Sequence, residues 1–243
     1  MIKPDTPVNH QPTLSRRRFI AGTSGLTFMI SMGDFLSDNL ASATENLERN
    51  KSRGANITVW VKINSEGMIT ILNPSAEMGQ GSMTALAVLI AEEMDADWSK
   101  VRVEQSPIDP KIYGRPGWGG RGYHMITVGS MTVRGYFMPL RQAGAKARYV
   151  LLKNASMKWG IPLNELKTEP GMVIHTPTNR RMSYGEIASF AKTIKEIPEI
   201  TEKKLKRPEE FRLIGKFVPR IDIPEKVDGS ALYSMDVIVP NML

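Results

Sequence analysis

The chain has 243 residues, enough for one ordinary domain or two small ones, and its hydrophobic fraction of 41% and charged fraction of 23% are those of soluble globular proteins. It contains no cysteine, which excludes disulfides, cysteine-ligated zinc and an iron–sulfur cluster held by this polypeptide. The formal net charge is +7, but the basic residues are interspersed with acidic ones and form no basic stripe with interleaved aromatics. This argues against nucleic-acid binding.

The first 43 residues show the order of features that is typical of an export signal. A polar segment (residues 1–14) precedes the twin arginines Arg16 and Arg17, and a moderately apolar stretch follows that is too short and too polar to span a bilayer stably. Ala41-Ser42-Ala43 then offers the small residues that a signal peptidase requires. The twin arginine followed by x-Phe-Ile indicates the twin-arginine route, which carries folded proteins, so we expect a periplasmic protein that receives a large cofactor before export. The alternative is a basic cap on an ordinary amphipathic helix.

The segment after the signal is predicted to open as an α/β unit. Alternating and β-branched residues predict strands at Ile57–Ile63 and Met68–Leu72, joined by a turn at 64–67. Apolar residues at helical spacing predict a helix over Met83–Asp97, and Val101–Glu104 follows as another strand.

A loop with two glycines, Gly79-Gln80-Gly81, joins the second strand to the amino terminus of this helix. Free backbone N–H groups and the positive helix end favour an anion there, the helix dipole contributing roughly 0.3–1 kcal/mol. A strand–helix turn without a ligand is the simpler interpretation of these glycines taken alone.

The middle of the chain combines a glycine-rich, irregular region (106–131) with a second predicted helix over Thr132–Gly160. Pro139 marks either a kink in this helix or a break between two helices. Ser130 and Thr132 stand at its start, where a hydroxyl either caps the helix or binds a phosphate oxygen, capping being the simpler interpretation.

The remaining predicted elements are short. Met172–His175 is predicted as a strand and Ser183–Lys195 as a helix. Residues 196–210 are rich in charges and contain two prolines, which indicates a linker. Apolar and β-branched residues predict a last strand within 231–239.

Several motifs together resemble the molybdopterin-binding large subunit of the xanthine dehydrogenase family. The helix and strand at 91–103 are similar to one branch of that family, which contains the isoquinoline 1-oxidoreductase β-subunits and membrane-associated aldehyde dehydrogenases. The other matching runs are Glu77-Met78-Gly79-Gln80-Gly81-x-x-Thr84, Gly129-Ser130-Met131-Thr132-Val133-Arg134-Gly135, Phe211-Arg212-Leu213-Ile214-Gly215-Lys216 and Pro219-Arg220-x-Asp222-x-Pro224-x-Lys226-Val227-Asp228-Gly229.

The resemblance implies an α+β fold with four parts. After the signal (1–43) come the amino-terminal part of a mixed α/β molybdopterin-binding domain (44–195), the linker (196–210) and the start of a hammerhead α+β domain (211–243).

The resemblance also implies the residues that bind a molybdopterin dinucleotide, in its cytosine form. Gln80 would hydrogen-bond the pterin, with Gly79 and Gly81 allowing close approach, and Ser130 and Thr132 would hold the phosphates. Thr84 and Gly129 belong to the same two motifs, so the expected cofactor-binding set is Gly79, Gln80, Gly81, Thr84, Gly129, Ser130 and Thr132. The branch usually has Gly-Gly-Ser-x-Ser in the second motif, whereas Val128 here replaces a glycine that lets backbone approach the cofactor.

Enzymes of this family hydroxylate a carbon next to nitrogen or oxygen, as in aldehydes and N-heterocycles, with water as the oxygen source. A glutamate acts as the base, and electrons leave through an iron–sulfur small subunit, in some cases onward to a cytochrome c subunit. None of the 25 acidic residues matches the family's catalytic glutamate motif, and no residue stands out as a metal ligand. We therefore expect no turnover by this chain alone.

Two interpretations stay open at this point. The chain is either one piece of a split molybdenum hydroxylase, completed by a polypeptide that supplies the carboxy-terminal part of the large subunit, or a truncated cofactor-binding product without activity. An open reading frame nearby that begins with the rest of the hammerhead domain would favour the first. An unrelated periplasmic binding protein is a third interpretation, against which the number of motif matches argues.

Replacing Arg16 and Arg17 by lysine keeps both charges but removes the guanidinium forks. We expect the double variant to stay in the cytoplasm, as measured by immunoblotting of periplasmic and cytoplasmic fractions. Periplasmic recovery equal to that of the parent would contradict the twin-arginine assignment.

Overall fold

The computed structural model describes residues 26–28, 60–117, 122–194, 196–240 and 242, which form a mixed α+β fold of helices and small sheets. Within these residues the strands are β1 (Leu26–Phe28), β2 (Val61–Ile63), β3 (Ile69–Asn73), β4 (Val101–Gln105), β5 (Arg115–Pro116), β6 (Tyr123–His124), β7 (Lys167–Glu169), β8 (Met172–His175) and β9 (Arg180–Ser183). The α-helices are α1 (Ser82–Glu93), α2 (Pro110–Tyr113), α3 (Met131–Trp159), α4 (Tyr184–Phe190) and α5 (Ile223–Asp228).

The first sheet has the order β1-β2-β3-β4 and contains the α/β unit that the sequence predicts. β2 and β3 pair antiparallel across a tight turn, and β4 pairs parallel to β3, with α1 as the crossover. The helix ends at Glu93, earlier than predicted, because Asp95 adopts the left-handed conformation (φ 53°), which a continuing helix does not allow. Leu26–Phe28, in the predicted signal, pair antiparallel with β2, and export and cleavage stay predictions. The remainder of residues 1–43 and the predicted strand's first residues, 57–59, lie outside the described residues.

The long helix α3 packs across α1 and is continuous over 29 residues, with Pro139 inside it, so of the two interpretations the break between helices is wrong. The backbones of the two helices approach most closely at Gly144. A Cβ there would lie 2.5 Å from the carbonyl oxygen of Ile90, so only glycine fits at this crossing. Ala143 and Ala147 flank the crossing and are buried, which keeps the helices close over a full turn.

The third sheet, β7-β8-β9, and helix α4 close the domain at the end of α1. The strand predicted at Met172–His175 is confirmed. Helix α4 begins with a capping box between Ser183 and Glu186 and ends at Phe190, earlier than predicted. The buried hydroxyl of Tyr184 donates a hydrogen bond to the carbonyl oxygen of Met94, which joins this sheet and helix to α1.

Three acidic residues at the end of α1 are buried together: Glu92 and Glu93 are fully buried, and Asp95 is 7% exposed. Arg141 of α3 forms a two-pronged ion pair with Glu93, at 2.8 Å from Nε and 2.7 Å from Nη2. The Lys206 ammonium lies between Glu92 and Asp95. Because an unpaired buried charge costs several kcal/mol, these cations are required for α1 to be buried.

The predicted linker at 196–210 packs against the domain. Ile200 and Leu205 are buried beside α3, and the carbonyl oxygen of Lys206 accepts a hydrogen bond from Arg141. Beyond it, the backbone N–H groups of residues 212–214 all donate to one oxygen of Glu92, at 2.9, 2.6 and 3.1 Å. The segment therefore packs against α1 because its Lys206 ammonium and backbone N–H groups pair with the buried acidic residues of that helix.

The strand predicted within 231–239 is wrong for the described residues, where a 3-10 turn (Ser234–Asp236) lies instead. Leu232, Met235 and Ile238 are almost fully exposed, and within the part of the chain that the structure describes no strand lies beside this segment to pair with it. Among the helices of the described residues, none combines the length and apolar character that a membrane crossing requires.

The buried acidic cluster predicts a specific loss of stability. Glu92→Gln keeps the side-chain shape but removes the charge that faces Lys206, so we expect a loss of about 3 kcal/mol in the free energy of unfolding, measured by urea titration with circular dichroism. Glu104→Gln is the matched control, because Glu104 pairs with Lys62 at the surface and should contribute less than about 1 kcal/mol. Equal losses in the two variants would contradict this account.

Candidate functional site

The loop between β3 and α1 is organised by its own carboxylate. Glu77 accepts hydrogen bonds from the backbone N–H groups of Gly79 (2.8 Å), Gly81 (2.9 Å) and Met83 (3.0 Å). Gly79 and Gly81 have φ values of 101° and 80°, which favour glycine and turn these N–H groups inward. The anion expected at the start of α1 is therefore supplied by the chain itself, and an external anion at these three N–H groups is not needed.

The Glu77 side chain is only 5% exposed. Burial by itself raises the pKa of this carboxyl and Asp222 adds to the increase, but the three backbone hydrogen bonds outweigh both and lower the pKa of Glu77 below its ordinary value. Arg220 lies 3.5 Å away and stabilises the same negative charge. The carboxylate therefore stays ionised and holds the loop.

Gln80 projects from the exposed tip of this loop. Its side-chain oxygen accepts a hydrogen bond from the N–H of Met78 (2.6 Å), and its amide nitrogen donates to the carbonyl oxygen of Ala76 (2.9 Å) and the hydroxyl of Ser82 (2.6 Å). These contacts are local and solvent-accessible, so a ligand can exchange with them at little cost.

The second predicted loop stands at the start of α3. Gly129 and Ser130 both adopt left-handed backbone conformations, with φ values of 61° and 54°. Within the described residues the Ser130 hydroxyl makes no capping hydrogen bond and is exposed, so the capping interpretation of this residue is wrong. Thr132 is 7% exposed, and its hydroxyl accepts a long hydrogen bond (3.5 Å) from the hydroxyl of Ser75. Within the described residues the amino terminus of α3 therefore has no side-chain cap, whereas Glu77 binds the N–H groups at the start of α1.

The two loops line one open cleft of about 420 Å³. Of the seven residues predicted to bind the cofactor, the cleft brings together Gln80, Gly81, Gly129, Ser130 and Thr132. Its walls also include apolar side chains, those of Met78, Val128 and Val133 among them, and no titratable side chain of the described residues lines it. The cleft can therefore bind a partly apolar, hydrogen-bonding ligand, but its lining offers no general acid or base.

The other two predicted residues face a different environment. The Gly79 carbonyl oxygen accepts a hydrogen bond from Arg220 (2.9 Å), and the buried Thr84 hydroxyl accepts one from the N–H of Ile221 (3.1 Å). Thr84 lines a neighbouring cleft of about 390 Å³, with Lys216 and Arg220 at its rim. Both residues are thus bound to the segment near residue 220.

A buried arginine supports an anion at the start of α3. Arg115 is 2% exposed, its Nη2 reaches the Ile126 carbonyl oxygen only at 3.5 Å, and its Nε has no hydrogen-bond partner within the described residues. Its side chain lies against Gly135 in the second turn of α3, where an added Cβ would be 2.4 Å from Cδ. The start of α3 lines the cleft without a side-chain cap and the buried Arg115 lies against the next turn of that helix, so a negative ligand at the helix start would compensate both.

Sequence reasoning missed the roles of Glu77, Arg115, Arg220 and Asp222. Glu77 and Arg220 are within quoted motifs, but 141 positions separate Gly79 from Arg220 and no local pattern joins them. Arg115 lies in the glycine-rich region, where a single arginine gives no signal. Within the described residues no group of three His, Asp or Glu side chains is placed to hold a metal ion.

Comparisons with known proteins identify the family of the chain. Residues 39–213 match the family model of the molybdopterin cofactor-binding domain. The chain is 36% identical to the β-subunit of the isoquinoline 1-oxidoreductase of Brevundimonas diminuta over 95% of its own length and 32% of that protein. It is 34% identical to a membrane-bound aldehyde dehydrogenase (pyrroloquinoline-quinone) of Gluconacetobacter polyoxogenes over 96% of the chain and 29% of that protein. It is 31% identical to a subunit of the nicotinate dehydrogenase of Pseudomonas putida over 77% of the chain and 15% of that protein.

The lowered pKa of Glu77 predicts a pH-dependent contribution to stability. Because the folded-state pKa lies below the ordinary value of 4.5, the carboxylate stabilises the fold fully above that pH, and the contribution disappears as the pH falls through the folded-state pKa. Glu77→Gln should therefore cost about 1–2 kcal/mol in the free energy of unfolding at neutral pH and progressively less below pH 4.5. The same denaturant titrations on Glu66→Gln, an exposed turn residue, give the control, and a pH-independent difference for Glu77→Gln would contradict the assignment.

Proposed function

Because the chain belongs to the molybdopterin cofactor-binding domain family, we propose that it binds molybdopterin cytosine dinucleotide as the amino-terminal part of a molybdenum hydroxylase large subunit. The observation that carries the proposal is the cleft in which both motif loops meet. Family membership identifies the cofactor class, and the proposal adds the cytosine dinucleotide form, the binding residues and the reaction.

The chemistry of the cleft fits such a group. A molybdopterin dinucleotide combines a polar heterocycle, which needs amide and hydroxyl partners, with phosphates, which need N–H groups and positive charge. Gln80 would bind the pterin by exchanging its contacts with Ala76 and Ser82, and Gly81 leaves room beside it. Ser130 and the start of α3 would hold the phosphates, with buried Arg115 behind the helix adding favourable charge.

The proposed role of this chain is to bind and orient. When bound, the cofactor supplies a molybdenum centre for hydroxylating a carbon next to nitrogen or oxygen, with water as the oxygen source. Within the described residues no titratable side chain lines the cleft, and Glu77 beside it is engaged by three backbone N–H groups of the loop. We expect a base from another part of the large subunit.

The whole assembly follows as part of the same proposal. The chain spans about a third or less of the length of the relatives that it matches, at 32%, 29% and 15%. The polypeptide that supplies the rest of the large subunit, an iron–sulfur small subunit and a cytochrome c subunit are the proposed partners, and aldehydes or N-heterocycles are the proposed substrates. The proposed compartment is the periplasm, reached by twin-arginine export.

A second candidate is a cofactor-binding product without turnover. The lack of a titratable group in the cleft lining favours it equally, since binding and orientation need no base. Aldehyde and N-heterocycle oxidation, measured with an artificial electron acceptor after co-production with the proposed partners, separates the two candidates. Activity supports the hydroxylase, and bound cofactor without activity supports the second.

The proposed binding role predicts the effect of one side chain. In a chain co-produced with its partners, Gln80→Ala should lower molybdenum and released cytidine monophosphate about tenfold, the effect of losing roughly 1.4 kcal/mol of hydrogen bonding. Molybdenum is measured by plasma mass spectrometry and the nucleotide by chromatography after acid hydrolysis. Lys167→Ala, at an exposed strand position outside the lining of the cleft, should leave both near the parent value. A parent without molybdenum would overturn the proposed function, and equal occupancy in parent and Gln80→Ala would remove Gln80 from the site.

A further inference from the structure

A carboxy-terminal segment follows α1 along its whole length in the opposite direction. We call residues 205–222 the strap. At the end of α1, Lys206 and the N–H groups of 212–214 bind Glu92. At the beginning of α1, the N–H of Ile221 donates to Thr84. The strap is thus attached at both ends of a 12-residue helix, about 18 Å long at 1.5 Å per residue.

Arg220 joins the strap to the loop between β3 and α1, which we call the cofactor loop. It contacts Asp222 within the strap, and Gly79 and Glu77 in the loop. Its Nε and Nη2 donate to the two oxygens of Asp222, at 3.0 and 2.6 Å. Its Nη1 donates to the carbonyl oxygen of Gly79 at 2.9 Å, and its Nη2 lies 3.5 Å from Glu77. Lys226 binds Asp222 from the following turn at 2.6 Å and holds that carboxylate in place.

These contacts fix the backbone beside Gln80. The Gly79 N–H is bound by Glu77 and the Gly79 carbonyl oxygen by Arg220, while Glu77 also binds the N–H of Gly81. Both peptide groups of Gly79, including the one that links it to Gln80, are therefore fixed by one ionic network. Gly79, at φ 101°, has no side chain to restrict its backbone, so without these contacts it could adopt many other conformations.

We infer that Arg220 is a positioning residue for the cofactor loop, and that docking of the strap and binding of the cofactor favour each other. The inference rests on the proposed function. Arg220 lies outside residues 39–213, which match the cofactor-binding domain, so the loop of that domain is completed by the segment that follows it. Because such coupling is reciprocal, a ligand that holds the loop in this form also tightens the strap.

Positioning by Arg220 is separated from simple stabilisation by where the effect falls. The Arg220 side chain is 33% exposed, but the carboxylates of Glu77 and Asp222 are only 5% and 8% exposed, so its loss also lowers global stability, and a positioning role requires a larger effect at the loop than elsewhere. What arginine adds is a planar fork that reaches the two oxygens of Asp222 while a further N–H faces Gly79. Lysine keeps the charge but offers a single donor point, so it cannot hold all three acceptors.

The test compares Arg220→Met and Arg220→Lys with Arg207→Met in the full chain without cofactor. Arg207 is the matched control, because it belongs to the same strap but its side chain is 77% exposed and its ion pair with Glu210 is long, at 3.5 Å. Hydrogen exchange of the peptide amides at 79–83 is measured by mass spectrometry, beside urea unfolding. We expect exchange at 79–83 to rise about tenfold more than exchange at the other amides in Arg220→Met, to rise less in Arg220→Lys and to match the parent in Arg207→Met, whose unfolding midpoint also stays near that of the parent.

Two outcomes would overturn the inference. Parent-like exchange at 79–83 in Arg220→Met would show that the arginine does not hold the loop, and equal acceleration at all amides with a lower unfolding midpoint would show a purely structural role. If Arg220→Met fails to fold, Asp222→Asn provides the same comparison, because it removes the carboxylate that orients Arg220. The exchange experiment needs no cofactor, so it is independent of the molybdenum content that tests the proposed function. Unchanged molybdenum in co-produced Arg220→Met, with a loosened loop, would overturn the coupling alone.

Discussion

The structure depends on the ionic cluster at the end of α1, where Glu92, Glu93 and Asp95 are buried among cations. Burial alone would raise the pKa of Glu92, but the N–H of Leu213 and the Lys206 ammonium outweigh it and lower that pKa. At Glu93 burial prevails over Arg141, and the pKa is raised. An ionised pair of this kind is tolerated only when every lone pair has a partner, so α1 is buried only with α3 on one side and the strap on the other.

The amino termini of α1 and α3 both lie at the cleft, but they are satisfied in different ways. At the beginning of α1, Glu77 takes the N–H groups that a helix would otherwise present to an anion. Helix α3 begins on the same cleft with Ser130 uncapped and Arg115 buried behind it. The helix start that lines the cleft without a side-chain cap is therefore that of α3, and the loop before α1 contributes shape and amide groups.

This division of roles agrees with a protein that binds a large cofactor and leaves the chemistry to other residues. One wall of the cleft is the loop before α1. This loop is held by ionic contacts among Glu77, Arg220 and Asp222, none of which lines the cleft, so its geometry is set before any ligand binds. On the other wall the Ser130 hydroxyl makes no capping hydrogen bond within the described residues.

The sequence by itself determined the local elements and the family. Periodicity placed β3, β4, β8 and the two long helices, because each alternation or helical repeat is a local consequence of one buried face. It also identified both motif loops, since glycines and hydroxyls are concentrated within a few positions. Only the tertiary structure decided that Glu77 occupies the start of α1, that Gly144 is required by a helix crossing and that residues 196–222 pack against α3 and along α1. Each of these depends on groups far apart in the chain, and the desolvation that makes them necessary exists only once the helices are packed.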